Sequence, residues 1–404
     1  MNVLLKISIL ILIFTLTSLR TLAIEHAEVR LETGSLKDEL YEKHRKMYGR
    51  KDVIINRNRE IELTEDSLSE KLHKIYKLEV HQTDTAVYLL EDILTVKPEK
   101  GIIKDMQLFG AYRGNLNFNF ADGEDTDTFY DVTAIETGIE GEFINGWNYK
   151  FKTRLAPSNQ WSFWQNLISD MYVTNDNIKN HKILVGNSKL PIGVEGGQSS
   201  ATLLFLNRSQ FARTFANSRK TGLRVIGDLD LVDYDFGVYS SDTYFREFFP
   251  GVDFTGWVDF KPLGKTKGEY GDLTLGTGIS AGTHHTDYAV GGAYFGYEYK
   301  DFLINFEGSI ADGYNGQVGL SDKKASGFYT TLGYHLTPKI QMVARFDTFD
   351  PNRDNDNDER QEYSAGLNYY IKGQALKLML NYIFCQDEAR EDSHRIFVGT
   401  QILL

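Results

Sequence analysis

From about Gln107 to the end of the chain, apolar and polar side chains alternate with a period of two. In LKLMLNYIFC (376–385) the even positions Leu376, Leu378, Leu380, Tyr382 and Phe384 are apolar, while the odd ones include Lys377 and Asn381. YSAGLNYYI places Tyr363, Ala365, Leu367, Tyr369 and Ile371 on one face, and RIFVGTQILL repeats the pattern with Ile396, Val398, Thr400 and Ile402. Successive side chains of a strand point to opposite faces, so this period predicts strands with one apolar and one polar face. Cutting the region at its turn signals predicts sixteen of them, near 107–120, 131–144, 147–155, 168–175, 181–189, 220–230, 233–241, 252–262, 271–282, 285–299, 301–312, 326–337, 339–348, 361–372, 375–386 and 393–404.

Alternation alone fits a soluble sandwich as well as a lipid-embedded barrel. The connections separate the two. Tight ones (Asn145-Gly146, Tyr299-Lys300-Asp301, Thr337-Pro338-Lys339, Lys372-Gly373-Gln374) interleave with longer polar ones such as ADGEDTDTFYD, DGYNGQVGLSDKK, DPNRDNDNDER and QDEAREDS. Outer-membrane barrels show this parity, with short turns on the periplasmic side and long loops outside. A closed barrel also leaves no strand edge unpaired in lipid. The expected fold is therefore all-β, a sixteen-stranded antiparallel transmembrane barrel over residues 101–404.

The first hundred residues lack the period of two. Residues 1–23 read as a signal peptide: Lys6 is the positive start, ISILILIFTLTSL the apolar run, and Thr21-Leu22-Ala23 the cleavage site. That run is shorter than the roughly 18 to 20 residues a spanning helix needs. Residues 24–100 are rich in Glu, Lys and Arg, and Leu68, Leu72 and Ile75 fall at helical spacing, which predicts a short α-helical or coiled periplasmic extension. A solvated arm is the other reading.

Composition agrees with many close-packed strands: of 404 residues, 25 are Phe, 23 Tyr and 36 Gly, and only 7 are Pro. Proline removes a ladder donor, so its scarcity favours long strands. Cys385 is the only cysteine, which leaves no internal disulfide. A formal net charge of −12 sets nucleic acid aside as a partner. Against that acidic total, the window Gly196–Gly227 holds Arg208, Arg213, Arg219, Lys220 and Arg224 and no Asp or Glu. Arginine presents a permanently charged planar fork to phosphate or carboxylate, and rings of Arg and Lys are how anion pores select. A second basic group is Lys150, Lys152 and Arg154 in NYKFKTRL, which share one strand face opposite Tyr149, Phe151, Thr153 and Leu155. Charge on the lipid face costs roughly 2 to 4 kcal/mol near the midplane, so the basic face is expected to line the lumen.

Three stretches resemble the phosphate-selective porin family of Gram-negative outer membranes: VGNSKLPIGVEGGQSSATLLFLNRSQFARTF (185–215) followed by RKTGLRV, RFDTFDPN (345–352) followed by GLNYYIKGQALKLMLNY, and ISDMYV (168–173). The resemblance extends over most of residues 107–404. It implies a sixteen-stranded barrel, usually a homotrimer, whose third long loop folds inward to narrow the pore. The third long connection counted above contains the arginine window. The chain departs from the family pattern in having few lumen arginine ladders or lysine clusters, and in ending on Leu404 rather than an aromatic residue.

The resulting expectation is an outer-membrane porin passing small hydrophilic solutes by diffusion, with a preference for anions and phosphate-like anions among its candidates. Arg208, Arg213, Arg219, Lys220, Arg224, Lys150, Lys152 and Arg154 are its candidate constriction and anion-binding residues; the alternative for the window is that its cations pair with carboxylates on facing walls and hold the loop in place, and for Lys150, Lys152 and Arg154 a wet lumen wall with no selective role. Its surroundings would be outer-membrane lipid and lipopolysaccharide, and no cofactor, metal or catalytic residue is implied. Asp122, Glu124, Asp125 and Asp127, with Asp354, Asp356, Asp358 and Glu359, read as solvated outer loops. Two alternatives use the same barrel: a structural or adhesive role, and a lipid hydrolase built on Ser280 with His284-His285, for which no third member or oxyanion hole is evident.

Overall fold

The computed structural model describes residues 95–96, 101–121, 126–155, 167–216, 218–242, 249–264, 269–284, 286–314 and 323–404. The signal peptide and almost all of the predicted extension lie outside these residues. Thr95–Val96 are the exception, and they are extended rather than helical: they form a short strand, β1.

Sixteen longer strands follow. They are β2 (Ile103–Ala121), β3 (Asp127–Phe143), β4 (Trp147–Arg154), β5 (Ile168–Asn175), β6 (His181–Lys189), β7 (Arg219–Asp228), β8 (Val232–Ser240) and β9 (Val252–Phe260), then β10 (Asp272–His284), β11 (Thr286–Tyr299), β12 (Phe302–Asp312), β13 (Lys324–Thr337), β14 (Ile340–Asp350), β15 (Arg360–Lys372), β16 (Leu376–Asp387) and β17 (Ser393–Leu403). Each pairs antiparallel with the next, and β17 pairs with β2 in the register Val398↔Leu116. The sheet therefore closes into a barrel. Where β17 stops, Leu404 and Gly110 exchange two backbone hydrogen bonds, and β1 continues the edge by pairing Thr95 with Gln107 and Val96 with Met106.

The two faces are the reverse of those in a soluble protein. In β16, Lys377, Met379, Asn381, Ile383 and Cys385 are buried, while Leu378, Leu380 and Tyr382 on the other face are 41, 47 and 42 % exposed. Apolar side chains at the outside and polar ones within are stable only if hydrocarbon surrounds the barrel. Aromatic rings reinforce the outer face. Phe306, Phe328, Phe346, Tyr363, Phe384 and His394 form a ladder across β12 to β17, with successive centroids 5.8, 5.8, 5.1, 6.1 and 4.8 Å apart. Such belts mark the level of a membrane interface.

Two predicted boundaries need correction. The first barrel strand begins at Ile103, and β3 begins at Asp127, so part of ADGEDTDTFYD is strand rather than loop. Each segment mixes polar and apolar side chains on both faces there, Lys104 and Asp105 with Ile103 and Met106 in β2, Asp127 and Thr128 with Phe129 and Tyr130 in β3, and the periodic signal is lost.

Candidate functional site

The connection between β6 and β7, residues 190–218, is the third long one. Its sequence breaks strand geometry at Pro191-Ile192-Gly193, where Gly193 adopts φ 69°, a conformation costly for any residue with a Cβ. It then forms α1 (Val194–Gly197), a 3₁₀ turn at Ser200–Thr202, and α2 (Gln210–Thr214). Short helices leave their first N–H groups without intrahelical partners. Carboxylates of the barrel wall supply them: Glu307 of β12 accepts from the backbone N–H of Val194 at 2.8 Å and of Glu195 at 3.0 Å, and Asp347 of β14 accepts from that of Gln210 at 2.8 Å. Tyr329 donates its hydroxyl to Glu307 at 2.7 Å and completes that seat.

Apolar packing fixes the same segment. Leu190, Ile192, Phe211 and Phe215 share one buried cluster with Tyr239, Tyr288, Val290, Tyr329 and Phe349 of the strands. Phe211 stacks on Tyr329 at 5.9 Å and Phe215 meets Tyr314 edge-on at 5.6 Å. Arg345 of β14 donates to the Glu195 carboxylate and to the Asn207 carbonyl, both at 3.2 Å, with its guanidinium 4.7 Å from the centre of the Phe205 ring. Every strand residue named here lies on the buried face of its strand, and Tyr314 follows the end of β12.

The eight basic candidates are found in different circumstances. Arg154, Lys152 and Arg219 form one chain of ion pairs with two carboxylates: Arg154 to Glu136 at 2.8 Å, Lys152 to Glu136 at 3.3 Å and to Asp170 at 2.9 Å, Arg219 to Asp170 at 2.6 Å. Three cations on two acids leave a positive remainder. Lys150 pairs with Glu140 and lies 4.5 Å from the centre of the Phe109 ring. Lys220, 4 % exposed, pairs with the fully buried Asp253. Arg224 stands in mid-strand on β7, where its Nε donates to Asp235 at 2.6 Å. Arg213 pairs with Glu362 at 2.9 Å, and Arg395 of β17 shares the same carboxylate oxygen at 2.7 Å. Burial works against the Arg213 charge, but Glu362 and Asp347 outweigh it and hold the guanidinium above its ordinary value.

Arg208 differs from the rest. Its guanidinium donates to two backbone carbonyls, those of Glu195 and, at 2.7 Å, Gln198. Burial pushes its pKa down to about 10, against the opposing pull of Glu195, so it remains a cation at neutral pH. The Gln198 carbonyl also accepts the ammonium of Lys189, at 2.6 Å. Among the described residues neither Lys189 nor Arg208 has a carboxylate in ion-pair contact. Lys189 lies within electrostatic reach of Arg208, Arg219, Lys152 and Arg154, and Arg208 within that of Arg113 of β2. Sequence reasoning missed Lys189 and Arg113. Both precede the acid-free window, and Lys189 ends a strand whose alternation had already accounted for it.

Ser280 lies on the lumen side, 1 % exposed, opposite the lipid face a hydrolase of membrane lipid would use. Of the acidic loop residues, Asp122, Glu124 and Asp125 lie outside the described residues, and so does His285. Glu359 accepts from Thr348 at 2.5 Å and from Gln361 at 3.1 Å.

A family model described as phosphate-selective porin O and P matches residues 108–252 and 265–401. No curated protein sequence matches the chain. Among solved structures, a loop L8 deletion mutant of OmpT, an outer membrane protein of Vibrio cholerae, superposes with a TM-score of 0.55 at 11% identity, over 74% of this chain and 99% of that one. The outer membrane channel DcaP of Acinetobacter baumannii gives 0.54 at 13%, over 76% and 99%. An anion-selective porin from Comamonas acidovorans gives 0.52 at 11%, over 74% and 99%. At these identities the likeness is one of fold.

Proposed function

We propose, from the premise that this chain belongs to the phosphate-selective porin O and P family, that its pore prefers anions and that the connection 190–218 is the inward loop which narrows it. As a member of that family it is an outer-membrane diffusion channel for small hydrophilic solutes, and its fold neighbours are channels of the same architecture. The inward placement of the loop is supported by its bonds to the buried polar faces of β12, β14, β15, β16 and β17.

One observation carries the anion preference: Lys189 and Arg208 meet at a single carbonyl without a carboxylate, beside a network in which Arg154, Lys152 and Arg219 share only two acids. An anion entering that section supplies the missing counter-charge. In a neck walled by low-dielectric protein such charges are focused rather than screened. The remaining candidates, Lys150, Lys220, Arg213 and Arg224, shape the field and hold the walls together. In this reading the protein is a homotrimer set in lipid and lipopolysaccharide, residues 1–23 direct export, and residues 24–100 form a periplasmic extension. The reversal potential of the purified protein in a bilayer under a salt gradient tests the preference, with phosphate then applied as a blocker. Cation selectivity would refute it, and absence of conductance would favour the structural or adhesive alternative.

A further inference from the structure

The wall grips the third connection by its peptide groups. Asn368 of β15 donates to the Leu204 carbonyl at 2.9 Å, Lys377 of β16 to that of Leu203 at 3.0 Å, and Gln401 of β17 to that of Ala201 at 2.9 Å. Asn381, four residues further along β16, accepts the N–H of Leu206 at 2.9 Å. Four side chains on three neighbouring strands thus hold the peptide groups of residues 201–206, while the Leu206 side chain packs with Met379, Ile383 and Phe397.

Lys377 is the unexpected member of this row. It is wholly buried, and among the described residues no carboxylate pairs with it; its partners are the Leu203 carbonyl and the Tyr370 ring, 5.7 Å away. Burying an unpaired ammonium is costly, and a neutral amide performs the same task at Asn368 and Gln401. What the ammonium adds is a charge-assisted hydrogen bond, roughly twice as strong as a neutral one. From Leu203 the contacts lead directly to the site. Thr202 accepts from the Gln198 side chain through its carbonyl at 3.1 Å and its hydroxyl at 2.9 Å, and the Gln198 carbonyl is the acceptor shared by Lys189 and Arg208.

We infer that Lys377 is a positioning residue for the pore: by fixing Leu203 it fixes Thr202 and Gln198, and so sets where Lys189 and Arg208 stand across the lumen. It acts through another group and does not itself meet the solute. The inference rests on the anion-selective reading for its selectivity readout only, because the steadiness of the open channel reports the tether independently of what permeates.

The experiment compares Lys377→Met, which keeps length and loses the donor, with Asn368→Leu, which loosens the neighbouring grip without touching any charge. Both proteins are checked for heat-modifiable migration and then recorded as single channels. Loss of one ordinary hydrogen bond shifts the docked population of the segment about five-fold. Both variants should therefore show added conductance substates and open-channel noise, and both should lose anion preference, Lys377→Met more than Asn368→Leu. Wild-type behaviour of Lys377→Met overturns the inference. So does a change of selectivity in Lys377→Met while Asn368→Leu stays as wild type, because Lys377 would then act as a pore charge. A wild-type channel that is not anion-preferring would sink the functional reading, yet the noise of the two variants would still decide the tether.

Discussion

The Lys189 ammonium and the Arg208 guanidinium end on the same oxygen, the carbonyl of Gln198, at 2.6 and 2.7 Å. A peptide carbonyl carries only a partial charge, so the Arg208 guanidinium has no full counter-charge at that point. Elsewhere in the described barrel the basic candidates are balanced one by one or nearly so. The local sign is positive although residues 101–404 hold 39 acidic and 28 basic side chains.

Replacing Arg208 by Gln should reduce the anion-to-cation permeability ratio by roughly five-fold, the effect of about 1 kcal/mol from one unit charge at 4 Å in water, and replacing Lys189 by Gln should reduce it by less. Neutralising Asp354, Asp356 and Asp358 should leave the ratio unchanged, because exposed charges are screened beyond about 8 Å at physiological salt. Reversal potentials of the four proteins decide the matter. A response in the outer-loop variant alone would place the filter outside the barrel.

Lys220 offers a contrast. Its partner Asp253 is 0 % exposed, and removing one member of a buried pair strands the other. Lys220→Met should destabilise the barrel by about 3 to 5 kcal/mol, and the double variant Lys220→Met with Asp253→Leu should recover most of that loss. The temperature at which the folded band shifts on a gel measures both. Equal stability of the single variant and the wild type would show that the pair is dispensable.

The arginine window was legible in the sequence, and its partners were not. Arg213 meets Glu362 across 149 residues and Arg219 meets Asp170 across 49, separations set by barrel closure that no local pattern encodes. Strands such as β16 could be read because one face meets lipid and the other the lumen, which keeps the alternation clean. At the start of β3, Asp127, Thr128 and Asp131 are interspersed with Phe129 and Tyr130 on both faces, so no alternation stands out and the strand resembled a loop. Lys189 escaped notice for the opposite reason: it fits the end of a strand so well that nothing set it apart. A four-fold exchange of Arg208, Arg213, Arg219 and Lys220 to Glu is a poor test of the window, since it would set three of the new carboxylates against Glu362, Asp170 and Asp253.

Gly193→Ala should loosen the seat of α1. A Cβ at this position would collide with the Glu307 carboxylate that accepts the Val194 and Glu195 N–H groups, and φ 69° adds backbone strain of about 1 to 3 kcal/mol. The expected result is a lower unfolding temperature and noisier open channels with the sixteen strands retained, judged by circular dichroism and single-channel recording. A quiet, equally stable variant would mean that the loop is held by its apolar cluster alone.

Removal of residues 24–94 behind the export signal should leave an outer-membrane protein of unchanged conductance, because the alternating pattern begins after that segment and β1 (Thr95–Val96) is kept. Outer-membrane fractionation and bilayer recording of the shortened protein test this. Failure to assemble would make the segment part of the folding unit.

The seam between β17 and β2 joins the last strand of the chain to the first of the sixteen, from Ser393↔Ala121 to Leu403↔Ala111. Until that seam forms, β2 and β17 each present a row of unpaired peptide groups, and in hydrocarbon each such group costs several kcal/mol. A copy cut short anywhere before Ser393 can never make the seam, however well its other strands pair. The barrel thus carries its own requirement for length: a polypeptide without its final strand keeps two open edges, and hydrocarbon penalises both.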